Sequence, residues 1–171
     1  MSARAREVPF GGRSRFAALA IYACAMGWLE AVVVVYIRAL LGLAHGAALP
    51  DSADLVRRME RLPWLLPTEQ AREVSTLVML AGAAWLAGEG TRGRVAAFLF
   101  AFGAWDIAYY AALRLLVSWP DHLSARDVLF LIPPHPWWTQ PVGVPIAISL
   151  LSIGAGLALG RSSRQPLIAA S

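Results

Sequence analysis

Four stretches of the chain are apolar over lengths that suit transmembrane helices. They cover about residues 16–43, 67–88, 95–118 and 141–160, and more polar segments separate them. About 20 mostly apolar residues are needed to cross the hydrocarbon core of a bilayer as a helix. The pattern therefore predicts an all-α, polytopic membrane helical bundle with four transmembrane helices, in which residues 1–171 form a single integral membrane domain.

The second stretch is the least apolar of the four. Its uncharged part, 74–88, is too short to cross a bilayer, so the helix is expected to begin near Pro67. That extension draws Glu69 and Glu73 to the membrane edge. The first stretch follows several arginines, as in a signal peptide. It is much longer than a hydrophobic region of 7–15 residues, so an uncleaved span is expected.

Two longer connections have their own patterns. In the first, Asp51 or Ser52 can cap a short helix that runs through Arg61. In the second, an apolar run too short to span is followed by a Pro/Trp-rich stretch. The segment near 127–140 is therefore predicted to be re-entrant or interfacial.

The distribution of charged residues predicts how the bundle is oriented in the membrane. All 15 basic residues are arginine, and the formal net charge is +4. Eight arginines lie on one side of a four-span arrangement and four on the other, which places the richer side in the cytoplasm. We therefore expect a multi-pass protein of the bacterial inner membrane with both termini cytoplasmic. The richer side holds Arg4, Arg6, Arg13, Arg15, Arg92, Arg94, Arg161 and Arg164.

The two halves of the chain resemble each other. Glu30 precedes Arg38 by the same interval that separates Asp106 from Arg114. Other matches, including Trp64 with Trp137, occur at offsets of about 72 to 76 residues. We interpret them as a tandem parallel repeat of two spans each, over residues 16–90 and 94–162, a device known in transporters.

The most informative single residue is Asp106, because a carboxylate near the middle of a span costs roughly 2.5–3.5 kcal/mol. Glu30 is its counterpart in the first half. If the two acids face each other, at least one should hold a proton, which suits proton-coupled transport or acid–base catalysis. The alternative is a structural polar clasp between helices. Each of the two acids is expected to pair either with the other acid or with a hydroxyl group. The candidate hydroxyls are those of Tyr109, Tyr110, Ser75 and Thr76.

The remaining candidates lie nearer the membrane edge. Arg38 and Arg114 are expected to extend outwards to lipid headgroups. Glu69 and Glu73 share a helix face, where they can bind a cation with Glu30 and Asp106 or simply form a solvated helix start. The interfacial or loop candidates are Trp64, Trp137, Trp138, Asp127 and His135.

Composition excludes several chemistries. Without lysine there is no Schiff base, and Cys24 alone cannot form an internal disulfide. No span offers a histidine to haem, and the histidine spacing matches no zinc motif, so neither a metal nor a cofactor is expected.

Three functions remain open. The first is a small proton- or cation-coupled transporter or channel-like protein. The second is an accessory subunit of a larger membrane complex, whose buried acids pair with a partner's Arg or His. The third is an integral membrane enzyme acting on a lipid or other apolar substrate. The expected partners are the lipid bilayer and either a second copy of the chain or another membrane subunit. The arginines lie at span ends rather than in a stripe, so nucleic acid is not expected.

Overall fold

The computed structural model describes residues 12–162. This part is mostly helical, and it contains five α-helices and a two-stranded antiparallel sheet. Arg4, Arg6 and Arg164, which contribute to the predicted orientation, lie outside the described residues. The helices are α1 (Gly12–Leu40), α2 (Ser52–Glu60), α3 (Leu65–Ala87), α4 (Gly90–Val117) and α5 (Gly143–Ser162).

Three of the described helices are long and apolar enough to cross a membrane by length and composition. They are α1, α4 and α5, and they match the first, third and fourth predicted spans to within a few residues. The helix α3 matches the predicted second span but is not among the three. Its first turns carry Glu69, Arg72 and Glu73, which lower its hydropathy.

The short helix α2 begins as its sequence predicts. The side chain of Asp51 accepts a hydrogen bond from the backbone N–H of Asp54 at 2.9 Å, which satisfies one of the free donors of the first turn. Its apolar side, with Leu55 and Met59 buried, packs against the start of α3 and against Leu131.

The segment near 127–140, which the sequence sets apart from the helices as re-entrant or interfacial, contains two short strands. Strand β1 (Arg126–Val128) pairs antiparallel with β2 (Thr139–Pro141), and a single 3-10 turn at Pro136–Trp138 lies between them. Three prolines within 133–136 remove backbone donors and prevent a helix there. The short ladder supplies hydrogen bonds to backbone groups that a helix would otherwise have satisfied.

The central helix of the bundle is α4, which contacts α1, α3 and α5. Small residues allow this close packing. A Cβ added at Gly27 would lie 2.9 Å from the Cβ of Ala108, and one added at Gly156 would lie 2.9 Å from the backbone nitrogen of Phe100. At Gly103 an added Cβ would meet the backbone oxygen of Ser149.

We predict that Gly103→Ala lowers stability by about 1–3 kcal/mol, because its methyl group has no space against α5. The matched control is Gly82→Ala, where nothing lies within 4 Å of the added Cβ. Alanine there should be neutral or stabilising by up to about 1 kcal/mol, since it favours the helix. The measurement is equilibrium unfolding of the purified protein in mild detergent. Equal stability of the two variants would show that α4 and α5 do not pack this closely.

Candidate functional site

The acidic residues singled out in the sequence converge on one cavity of about 230 Å³. It lies among α1, α3, α4 and the first turns of α5, next to α2 and under the segment that contains β1. Its walls are mostly apolar. Five carboxylates line it, and they belong to Glu30, Glu69, Glu73, Asp106 and Asp127. Only two guanidinium groups do so, those of Arg38 and Arg72.

A cluster of charges joins α1 to α3 at one side of the cavity. The guanidinium of Arg72 forms ion pairs with Glu30 and with Glu69, and its Nε donates to Glu69 Oε2 at 2.9 Å. The hydroxyl of Thr76 donates to Glu30 Oε2 at 3.1 Å. The α3 members recur at intervals of three, four and seven residues, which places them on one face of the helix. This cluster is a polar clasp of the kind that the sequence allowed as an alternative.

The segment between β1 and β2 covers the cavity and is fastened to α3. The backbone N–H of Leu131 donates to both carboxylate oxygens of Glu73, at 3.0 and 3.1 Å. The side-chain amide of Gln70 donates to the Leu131 carbonyl at 2.8 Å. Glu69 and Glu73 are both buried, so the interpretation of this region as a solvated helix start is wrong. Tertiary packing buries the face that carries them.

Asp127 lies inside the protein rather than at its surface. It is 4% exposed, and the hydroxyl of Tyr110 donates to its Oδ2 at 2.7 Å. The backbone N–H of Val128 donates to Oδ1 at 2.8 Å. Burial raises the pKa of Asp127, because the charged form loses its hydration, while the bond from Tyr110 acts in the opposite direction.

Asp106 has a different environment from the other acids. The hydroxyl of Ser149 on α5 donates to Asp106 Oδ2 at 2.8 Å. Within the described part of the chain, no arginine forms an ion pair with it and its Oδ1 has no hydrogen-bond partner. It forms no hydrogen bond with Glu30 either. Each of the two acids instead receives a hydroxyl from the long helix that follows it in the chain.

Arg38 is buried, in contrast to the prediction that it extends to lipid headgroups. It is 3% exposed, donates to the carbonyl of Ala47 and lies over the ring of Trp119 at 5.2 Å. The loops that follow α1 and α4 fold back over the helix end, and the ring and carbonyl replace part of the lost hydration. Arg114 is exposed and donates to the carbonyl of Ser118 at 2.7 Å.

The aromatic and histidine candidates divide into two groups. Tyr109 and Trp138 line the cavity, and the Trp138 indole donates to the Pro133 carbonyl. Trp64 and Trp137 are exposed and lie outside it. His135 is exposed as well, and its ring accepts the backbone N–H of Trp137 at the start of the 3-10 turn.

Two residues of the site were not identified from the sequence. They are Arg72, which lies among charged residues near the start of α3, and Ser149, which lies in an apolar stretch. The offset between the halves could have found Ser149, because it follows Thr76 by 73 residues, within the range of the other matches. Thr76 is one of the expected hydroxyl partners, and it donates to Glu30. Ser75 instead donates to the Ala71 carbonyl of its own helix.

Comparison of the chain with protein-family models, curated proteins and solved structures found no match. Within residues 12–162, the acidic, histidine and cysteine side chains form no group of three that could hold a metal ion.

We predict that Arg72→Met destabilises the protein by about 3–5 kcal/mol, because it leaves two largely buried carboxylates without their counter-charge. Adding Glu30→Gln and Glu69→Gln should restore part of the loss, since no uncompensated charge then remains. Unfolding in detergent measures both effects.

The matched control is Arg57→Met, because Arg57 pairs with Asp54 on the exposed side of α2. Its effect should be within about 1 kcal/mol, as for other surface pairs. An Arg72 variant as stable as this control would mean that the clasp does not hold α1 against α3.

Proposed function

We propose that the protein is a small proton- or cation-coupled transporter or channel-like protein, and that its binding site is the cavity beneath the β1–β2 segment. Five carboxylates against two guanidinium groups support a preference for positive charge. Glu30 and Glu69 both form ion pairs with Arg72 and so share its one positive charge. Among the described residues, Glu73, Asp106 and Asp127 have no ion-pair partner within 4 Å.

Asp106 is the observation that carries the proposal. It is 8% exposed, lies between two apolar helices and has only one neutral hydrogen-bond donor. A buried carboxylate in such a place is stable when it binds a proton or another cation, because the charge is otherwise uncompensated. Coupled transport requires a group that is neutral only while it binds a cation, so that it exchanges one cation for another. Glu73 and Asp127 differ from Asp106. Glu73 accepts hydrogen bonds from Leu131 in the segment that covers the cavity, and Asp127 belongs to β1, at the start of that segment.

A four-span arrangement is part of the proposal, with α3 as the second span. At about 1.5 Å per residue, its 23 residues exceed the hydrocarbon thickness of about 30 Å. It runs antiparallel to α1, since Arg72 meets Glu30 while Leu80 and Ala84 pack in one cluster with Leu19. Its outward side is apolar, and that side includes Val74, Val78, Met79, Trp85 and Leu86.

The tandem repeat is also part of the proposal, and two local equivalences support it. Thr76 donates to Glu30 in the first half as Ser149 donates to Asp106 in the second. In addition, Gly42 and Ser118, at corresponding positions, both have positive φ just after α1 and α4. Ser118 accepts a left-handed conformation that glycine adopts more easily, so a residue of this kind follows the helix in both halves.

An accessory subunit was the closest alternative, and the contacts within the chain favour a self-contained site. That hypothesis needs buried acids that pair with a partner's Arg or His. Here Arg72 pairs with Glu30 and Glu69, and Tyr110 donates to Asp127. Three of the buried acids, Glu30, Glu69 and Asp127, therefore have side-chain partners within the chain.

We predict that Asp106→Asn abolishes charge movement while the protein still folds, because the amide keeps the bond from Ser149 but binds no cation. Proteoliposomes on a solid-supported membrane are exposed to pH jumps and to alkali-cation and ammonium gradients, and the transient current is recorded. The loss should be at least about tenfold, as for removal of an essential charge. The control is Asp121→Asn, an exposed loop carboxylate. Full current from the Asp106 variant would remove the site from the proposal.

We also predict that both termini lie in the cytoplasm of a bacterial inner membrane. A phosphatase domain, active only outside the cytoplasm, and a fluorescent protein, active only inside, are each fused to the C-terminus. The fluorescent fusion should be active and the phosphatase fusion inactive, because the positive side of the four-span arrangement stays inside. A fusion inserted at Trp137, in the segment between β1 and β2, should give the reverse result. An external C-terminus would contradict either the orientation or the four-span count.

A further inference from the structure

One face of α4 combines a carboxylate with three aromatic rings. Phe102, Trp105, Asp106 and Tyr109 recur at intervals of three, four and seven residues, and all four line the cavity. Trp105 lies 5.6 Å from the Phe102 ring and 6.4 Å from the Tyr109 ring, measured between centroids. The aromatic side chains thus form a continuous strip beside a carboxylate that has one oxygen without a partner.

The rest of the cavity suits an apolar body of limited size. Its volume of about 230 Å³ is below the roughly 300–1,000 Å³ of sites for drug-sized ligands. The C-terminal part of α1 and the residue after it contribute branched aliphatic side chains to the cavity, and the segment between β1 and β2 contributes more of them. These walls include Val34, Ile37, Leu41, Leu129 and Leu131.

The chemistry of this face distinguishes organic from inorganic cations. An inorganic cation is held by several oxygen ligands, and no three acidic, histidine or cysteine side chains in the described part of the chain converge to hold one. An alkylated ammonium is weakly hydrated, and it gains from ring faces and from a single carboxylate. The apolar walls then accept its hydrocarbon part.

We infer that the cavity binds a small organic cation with an apolar body, whose ammonium group lies between Asp106 and the rings of Trp105 and Tyr109. The inference rests on the proposed function, because it takes the cavity as the site of the transported species. It adds the substrate class. Binding and charge movement are separate measurements, so the two proposals can fail independently.

The test is binding of benzyltrimethylammonium to the full chain in lipid nanodiscs, followed by calorimetry, with empty nanodiscs as the background. The matched neutral probe is (2,2-dimethylpropyl)benzene, in which carbon replaces the charged nitrogen. The cation should bind at least about tenfold more tightly than the neutral probe, because only the cation gains from the carboxylate and ring faces. Equal binding of the two probes, or no binding of the cation, would overturn the inference.

Variants separate the contributions of charge and aromatic face. Asp106→Asn should weaken cation binding at least about tenfold and leave the neutral probe unaffected. Trp105→Phe should weaken cation binding by a few fold, since indole is the strongest of the aromatic partners. Asp121→Asn is the control and should bind as the original protein does. If Asp106→Asn does not fold, Asp106→Glu and Trp105→Phe decide the question: cation affinity that neither variant changes rejects the site.

The combination of results distinguishes the two proposals. Cation binding that depends on Asp106, without any charge movement, supports the organic-cation site and rejects transport. Charge movement driven by protons or alkali cations, without binding of benzyltrimethylammonium, supports transport and rejects the substrate class. A neutral probe that binds as tightly as the cation identifies an apolar-ligand site instead.

Discussion

The position of α3 depends on one guanidinium group that forms ion pairs with two carboxylates from different helices. Arg72 lies at the level of Glu30 on α1, and the pair with Glu69 keeps the arginine extended across the helix face. Charges in a low-dielectric interior are tolerated only when they are paired and hydrogen-bonded. Because the charged residues of α3 all lie in its first half, this pairing joins that half of the helix to α1.

The same helix face also determines where the cavity is covered. Glu73 and Gln70 hold Leu131 by its backbone, so the β1–β2 segment is fixed to the helix that the arginine positions. From the other side, Tyr110 on α4 holds Asp127. The β1–β2 segment is therefore attached to two helices through the carboxylates of Glu73 and Asp127. A change in the charge of either carboxylate also changes how strongly the segment is held. Asp106 lies beneath this cover, and none of these attachments involves it.

Much of the helical architecture could be predicted from local patterns. The apolar runs located four long helices, and Asp51 located the start of α2. The segment near 127–140 could not be assigned in this way. Its prolines exclude a helix, but its short strands form only because the pieces of chain on either side of the proline-rich stretch meet. Pairing over such a separation leaves no periodic signal in three-residue strands.

The sequence singles out several residues that line the cavity, but it does not predict which of them are in contact. Glu30, Asp106 and Glu73 stood out because carboxylates are costly in apolar helices. Arg72 and Ser149 did not, since an arginine near a helix start and a serine in an apolar run are both common. Their importance comes from the side chains they meet on other helices, which are separated from them by more than 40 residues.

It follows from the amino-acid sequence that the chain is mostly helical, where its apolar helices begin and end to within a few residues, and which acids are costly to bury. These properties follow from local composition and periodicity, which act along a single helix. Only the packed structure shows that Arg72 forms ion pairs with both Glu30 and Glu69 while Asp106 receives only a hydroxyl. That distinction depends on which helix faces meet, and side chains from different elements interact only after packing has removed the solvent between them.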